Sequence, residues 1–198
     1  MRQGHRFLLE TQRLRIRDHK RGDFEHYYGV FSDSEVTEFT YDGLRTDRKA
    51  QRRAFDEAMA QPALGPERDK YYLLAEERAG GGYVGECGFD ILKRGAEGGI
   101  AEAGYFLARG KWGMGYATEI LRALIGYCFS DLGLHKVIAT CDGRNLRSAH
   151  VMEKCGMERE GILRRQRMSR GVWVDEFFYG ILMENSLSPG AGERILNK

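Results

Sequence analysis

Long apolar runs, paired cysteines and an excess of charge of either sign are all missing from this sequence. No stretch approaches the roughly 18 consecutive apolar residues that a membrane-spanning helix needs. The basic start, Met1 to Arg6, is followed by only three apolar residues, Phe7 to Leu9, before Glu10, too few for a secretory core. The four cysteines, Cys87, Cys128, Cys141 and Cys155, stand far apart inside apolar runs. That spacing has neither the CxxC pairs of a metal knuckle nor the density of a disulfide framework, and it fits reduced thiols in a core. Lys plus Arg number 31 against 29 for Asp plus Glu, a net charge of +2, so nothing global attracts nucleic acid or an anionic membrane. The absences together lead to the expectation of a cytoplasmic protein with no metal, no membrane partner and no specific nucleic-acid partner.

What is present suits one core: 198 residues, 42% of them apolar, are too few for two ordinary domains. Residues 1–185 read as a single domain and 186–198, with Pro189, Gly190 and Gly192, as a loosely ordered tail. Residues 14–17 alternate like a half-buried strand, and 23–31 and 47–59 carry helical spacing, the second capped by Thr46 or Asp47. Pro62 and Pro66 bracket a loop, and residues 71–75, 83–89 and 100–107 then read as a three-strand meander with glycine-rich turns at 79–82 and 95–99. Ala117, Ile120, Leu121, Leu124, Ile125, Cys128 and Leu132 make one continuous helical face, which Gly133 ends. A buried strand at 136–141, a short helix at 145–155 closed by Gly156, and strands at 157–169 and 172–183 complete the chain. This order predicts an α/β (α+β) fold with a mixed, strongly twisted sheet of about seven strands flanked by about four helices, including a crossover around the long helix.

The chemistry concentrates where the strand ending near Ala108 runs through Arg109-Gly110-Lys111-Trp112-Gly113-Met114-Gly115 into the long helix. Glycines allow close backbone approach, the first helical amides are unpaired, and the helix dipole favours an anion, so a pyrophosphate suits this turn. The spacing is neither GxGxxG nor GxxxxGK[ST], which argues against dinucleotides and nucleoside triphosphates. A tight connection with no ligand would use the same glycines.

Four ordered motifs carry a resemblance: Ala101-Glu102-Ala103-Gly104-Tyr105, Trp112-Gly113-Met114-Gly115-Tyr116-Ala117-Thr118-Glu119, Asn145-Leu146-Arg147-Ser148 and Lys154-Cys155-Gly156-Met157-Glu158. The chain resembles the GNAT superfamily of acetyltransferases, specifically the branch that acetylates the N-terminal alanine or serine of ribosomal proteins. The resemblance implies a central splay between two strands and acetyl-CoA as acetyl donor. Carried over, the amides of Lys111, Trp112, Gly113, Met114, Gly115, Tyr116 and Ala117, together with Thr118, hold the pyrophosphate. Phe106, Leu107 and Ala108 pair with the pantetheine arm, and the Phe106 N–H polarises the thioester carbonyl. The family's Arg or Gln three residues before the first glycine is Gly110 here, with Lys111 as substitute.

Asn145 and Ser148 are simple caps on one reading; on the resemblance, Asn145 bonds pantetheine and Ser148 assists the departing thiolate. The tyrosine that relatives place four residues further on is Met152, which cannot donate a proton. Glu102 is the candidate general base, with cross-strand pairing to an arginine as the alternative. The family's second candidate glutamate has no counterpart at Arg164-Arg165-Gln166-Arg167. The acceptor pocket is expected around Phe39, Tyr41, Glu102, Trp173 and Asp175. The acceptor is expected to be a primary amine, the N-terminal α-amine of a protein beginning with a small residue such as Ser or Ala, with little activity on spermidine, because a polyamine site needs several converging carboxylates and the Arg-rich final hairpin argues against it. A small amine (polyamine, aminoglycoside or amino acid) and a catalytically silent acetyl-CoA sensor are the alternatives, and a homodimer is a further expectation. His26, His135 and Cys155 read as structural, and the cluster Arg164, Arg165, Arg167 and Arg170 as a solvated hairpin face or an attractor of acidic partners.

Overall fold

The expected strands and helices assemble into one mixed sheet whose two faces carry different helices. The computed structural model describes residues 7–40 and 43–186. In chain order the elements are β1 (Leu8–Glu10), β2 (Leu14–Asp18), α1 (Phe24–Phe31), α2 (Arg48–Ala60), β3 (Lys70–Glu77), β4 (Tyr83–Lys93), β5 (Ile100–Leu107), α3 (Tyr116–Ser130), β6 (Lys136–Asp142), α4 (Leu146–Lys154), β7 (Glu158–Ser169), β8 (Val172–Leu182) and the single turn α5 (Met183–Ser186). Beyond the sequence reading stand β1 and α5, each too short to carry a periodic signal, and 3-10 turns at Arg21–Asp23, Arg109–Lys111 and Gln61–Glu67, the last where a loop was expected. The residues expected to form a tail beyond 186 lie outside the described residues. Among the described residues no helix is long and apolar enough to cross a membrane.

The eight strands run in the order β1-β2-β3-β4-β5-β6-β8-β7. All neighbours are antiparallel except β5 and β6, which are parallel and joined through α3. That parallel pair is short: only Ile100, Ala101 and Glu102 match Lys136, Val137 and Ile138. Beyond them β5 stays with β4 as far as Leu107 opposite Gly85, and β6 stays with β8 as far as Asp142 opposite Glu176. The sheet therefore splits between residues 103–107 and 139–142.

Helices α3 and α4 cover one face through Ile120, Leu121, Leu124, Ile125, Cys128, Ala149 and Met152, which pack with Ala101, Ala103, Val137, Ala139 and Tyr179 in the main core. Fully burying a side chain of this size contributes about 1.5–3 kcal/mol. Helices α1 and α2 cover part of the other face with Phe24, Tyr27, Val30, Phe31 and Phe55. Local chemistry sets the helix starts: Asp47 accepts from the Lys49 and Ala50 amides at α2, and Asn145 from the Ser148 amide at α4.

Candidate active site

Alternation along β5 decides which groups face which side of the split. Ala103, Tyr105 and Leu107 point to the α3–α4 face, and Glu102, Gly104 and Phe106 to the α1–α2 face. The Ala108 N–H donates to Val84 O at 3.0 Å, which makes the even-numbered residues the ones hydrogen-bonded to β4. The N–H of Phe106 is therefore committed toward β4, contrary to the role expected for it. Tyr105 and Leu107 turn their backbone groups toward the split; Leu107 O takes the Trp112 indole N–H at 3.0 Å.

After β5 the chain turns through Gly113 (φ +75°) and Gly115 (φ +79°) into α3, with Gly115 as N-cap in the left-handed region. No heavy atom lies within 4 Å of a Cβ built on Gly113, so the turn is open to a ligand's approach. The loop is held from outside. Arg13 donates to Met114 O at 2.9 Å and pairs with Glu119 at 2.6 Å. The Lys111 ammonium is bonded to Glu77 at 2.7 Å, and the same carboxylate oxygen takes the Tyr116 hydroxyl at 2.8 Å. Lys111 thus braces the loop instead of standing in for the missing phosphate-binding side chain. Arg147, exposed and 5.4 Å from the Trp112 ring centre, is the nearer cation to the cleft. Thr118 lies on α3 away from the cleft lining, and its carbonyl takes the Cys155 thiol at 3.5 Å.

The α3–α4 side of the split forms a cleft of about 350 Å³ lined by Tyr105, Phe106, Leu107, Trp112, Gly113, Ala117, Asn145 and Ser148 among others. Asn145 Oδ1 caps α4, leaving its amide nitrogen for other use. The Ser148 hydroxyl is 3.0 Å from that of Tyr105. Burial pushes the Cys155 thiol up to about 12, with Arg122 pulling weakly the other way, so its role is packing.

A second cavity, of about 450 Å³, lies on the α1–α2 side and shares Arg45, Ala103, Gly104, Phe106 and Thr140 with the first. Its floor is a cross-strand pair of glycines, Gly88 and Gly104. Two residues away on each strand stand Glu86 and Asp90 on β4, and Glu102 and Phe106 on β5, all on the same face. Glu102 accepts from the Thr140 hydroxyl at 3.0 Å and not from an arginine. Asp90 has its pKa raised by burial, with Lys70 opposing. Glu86 is buried between the Tyr83 hydroxyl, 2.7 Å, and His19 Nε2, 3.0 Å. Glu57 of α2 adds a fourth carboxylate, and the apolar walls are Tyr27, Phe31 and Tyr72.

Of the residues expected around the acceptor, Glu102 lines the second cavity and Phe39 the first. Tyr41 lies outside the described residues. Trp173 and Asp175 line neither cavity: alternation along β8 puts them on the α3–α4 face with Phe177 and Tyr179, and Asp175 is spent on the Arg165 N–H at 2.8 Å. The arginine cluster is not uniformly solvated. Arg167 is 7% exposed, donates to Phe39 O at 3.2 Å and approaches Asp142 at 3.7 Å, while Arg170 donates to Ser34 O at 3.0 Å. Both clamp the segment after α1. His26 stacks on Tyr83 with ring centres 4.6 Å apart, and neither His26 nor His135 lines either cavity.

Sequence reasoning missed Tyr105, Glu86, Asp90 and the glycine pair. The signal was the even-numbered run Glu86, Gly88, Asp90, but it became readable only once the register set it against Glu102, Gly104 and Phe106.

Comparison with known proteins identifies the fold and the family. A family model described as an acetyltransferase (GNAT) domain matches residues 13–158. N-acetyltransferase YnaD of Bacillus subtilis, itself uncharacterised, is 30% identical over 183 residues, covering 89% of this chain and 97% of that one. Among solved structures, the spermidine N-acetyltransferase of Vibrio cholerae with CoA and spermine superposes with a TM-score of 0.78 at 18% identity, covering 90% of this chain and 100% of that one. RimJ of Mycobacterium smegmatis with CoA-disulfide gives 0.78 at 22%, covering 96% and 92%.

Proposed function

This chain belongs to the GNAT acetyltransferase family and is an acetyl-CoA-dependent N-acetyltransferase, and from that premise we propose that its acceptor is a compact primary amine bearing a second positive charge. The observation that carries this reading is the lining of the second cavity. It meets the cofactor cleft at Gly104 and, among the described residues, presents Glu57, Glu86, Asp90 and Glu102 against one cation, Arg45. The arginine-rich hairpin, which on sequence alone opposed a polycationic acceptor, is tied by Arg167 and Arg170 to the segment after α1 and does not enter this cavity.

The residues present fit the cosubstrate: the open turn at Gly113 and Gly115 and the α3 amides for a pyrophosphate, and the Tyr105 and Leu107 N–H groups for the pantetheine arm. Asn145 offers its amide nitrogen to the same arm. Bound there, acetyl-CoA supplies an activated acetyl group. The acceptor must attack as a neutral amine, and a lysine-like amine has a pKa near 10.4. Glu102, held by Thr140 at the edge of the glycine floor, takes the proton directly or through one water. The Tyr105 or Leu107 N–H, facing the split, replaces Phe106 as donor to the developing oxyanion, a type of contact whose loss costs about 3 kcal/mol where it operates. Ser148, which lines the cleft, would stabilise the leaving sulfur.

A second reading, the α-amine of a polypeptide beginning with Ser or Ala, follows from the motif resemblance. Such an amine needs less assistance, since about a tenth of it is neutral at pH 7. Mass spectrometry on free-N-terminus peptides, N-blocked lysine peptides, spermidine, an aliphatic monoamine and an aminoglycoside separates the two. Turnover of the polyamine well above the monoamine supports the proposal; turnover confined to free-N-terminus peptides overturns it.

A further inference from the structure

Nothing in the scheme above uses the Tyr105 hydroxyl, 3.0 Å from that of Ser148 on the cofactor wall of the split. The pair is assembled from two elements, Tyr105 from β5 and Ser148 from the first turn of α4. The Ser148 backbone is pinned by its N–H bond to Asn145 Oδ1, 3.1 Å, and the side chain is turned so that Oγ meets the Tyr105 hydroxyl, which leaves the direction of its proton to decide. A serine hydroxyl has one proton to give. Here it has three claimants: Tyr105 Oη, the Cys141 sulfur beside it, and the sulfur of a bound thioester.

Tyr105 settles the choice. Burial pushes its pKa up, against a weaker opposing pull from Ser148, so the phenol stays protonated throughout the working range. A phenol is also a stronger hydrogen-bond donor than an aliphatic alcohol. The Tyr105 O–H has two acceptors, the Ser148 carbonyl at 3.5 Å and Ser148 Oγ at 3.0 Å; donated to the nearer one, it leaves the Ser148 proton free to point elsewhere. The burial that keeps the Cys141 thiol protonated, up to about 11, makes its sulfur a poor acceptor.

We propose that Tyr105 is a positioning residue for the leaving group, donating to Ser148 Oγ and thereby aiming the Ser148 O–H at the coenzyme A sulfur. The inference rests on the acetyl-transfer reading above. As the amine nitrogen bonds to the acetyl carbon, the C–S bond breaks and its electron pair remains on sulfur as a thiolate, which the Ser148 O–H stabilises. Tyr105 keeps its proton, because a phenol of raised pKa is a weaker acid than a thiol, ordinarily near 8.5. The proton that finally neutralises the thiolate is the one the amine nitrogen lost, so the step balances without another reagent. Two hydroxyls in series polarise each other, which strengthens the bond at sulfur. The arrangement answers the position on α4 occupied by Met152, 1% exposed and unable to donate: the hydroxyl support comes from the sheet instead of the helix.

The test uses CoA alone, with no acceptor. The pKa of the bound CoA thiol is read from thiolate absorbance against protein without CoA, for the wild type, Ser148→Ala, Tyr105→Phe and the double variant. The wild type should hold the thiol below its value in free CoA. Ser148→Ala should raise it by about one unit, Tyr105→Phe by about half a unit, and the double variant no further than Ser148→Ala. In turnover, Tyr105→Phe should lower kcat severalfold with the KM for acetyl-CoA unchanged. A bound thiol unmoved by Tyr105→Phe, a shift that persists in full on the Ser148→Ala background, or loss of CoA binding in Tyr105→Phe alone each overturns the proposal. Failure of the wild type to bind CoA at all, read as no rise in Tm, counts instead against the acetyl-transfer reading.

Discussion

Glu102 shows how much of a residue's role is set by its neighbours. Its carboxylate is half-buried and meets a threonine hydroxyl at 3.0 Å, with Asp90 directly across the strand pair. An arginine partner would have neutralised it; a hydroxyl only orients it. Glu102→Gln should therefore lower kcat at pH 7 by about 100-fold, within the usual range for a general base. Part of the loss should be recovered as pH rises toward the pKa of the acceptor amine, where neutral nucleophile no longer has to be generated. The measurement is a pH–kcat profile of the variant against wild type, and full activity at pH 7 would remove Glu102 from the mechanism. Asp142 behaves in the opposite way: burial alone would raise its pKa, but Arg144 and Arg167 outweigh that and hold it low, which marks it as a structural anchor.

At the scale of elements, β5 does the most, because its two faces and its two edges serve four different purposes. One edge is spent on β4, the other opens into the split, one face packs against α3, and the other floors the cavity proposed for the acceptor. Gly104 sits where these meet and lines both cavities. A Cβ there meets no heavy atom within 4 Å, and its φ is not in the left-handed region, so a larger residue is compatible with folding. Gly104→Val should fill the passage between the cavities, cutting kcat/KM for the acceptor by tenfold or more while acetyl-CoA still raises the Tm. Unchanged kcat/KM would mean that the acceptor does not approach over the glycine pair. The misplacement of Trp173 and Asp175 belongs to this scale too: in a strand, an error of one residue in facing sends every side chain to the wrong side.

For the whole molecule, the cleft proposed for the cofactor is built from parts distant in sequence, with β5, α3, β6 and α4 all contributing to one lining. A ligand bound there stabilises the native state by about 2.7 kcal/mol at a hundredfold excess over Kd. For a chain of this length that corresponds to a rise in Tm of several degrees, at roughly 2–4 °C per kcal/mol. Gly113→Asp should abolish the rise. Asp tolerates the left-handed backbone better than most residues, so the variant folds, yet its carboxylate stands among the amides that face the pyrophosphate. Differential scanning fluorimetry with and without acetyl-CoA decides this, and an undiminished rise would place the phosphates elsewhere.

The element sequence, the glycine turn at the start of α3 and the capping residue of α4 were legible in the chain because each is a local matter, set by periodicity, backbone freedom or a side chain bonding its own helix. So was the family resemblance, carried by four short motifs whose residues are near neighbours in sequence. Other features depended on contacts between strands that no local pattern encodes. Lys111 bracing Glu77, the meeting of Tyr105 with Ser148, the burial of Arg167 and the ring of carboxylates around Gly88 and Gly104 each join residues from separate elements. Composition and spacing determined that this chain forms one mixed sheet with a glycine turn at the start of α3; strand register, fixed only when the sheet closes, decided which acids line the second cavity and which β5 amides face the split, the groups proposed to meet the acceptor and the cofactor.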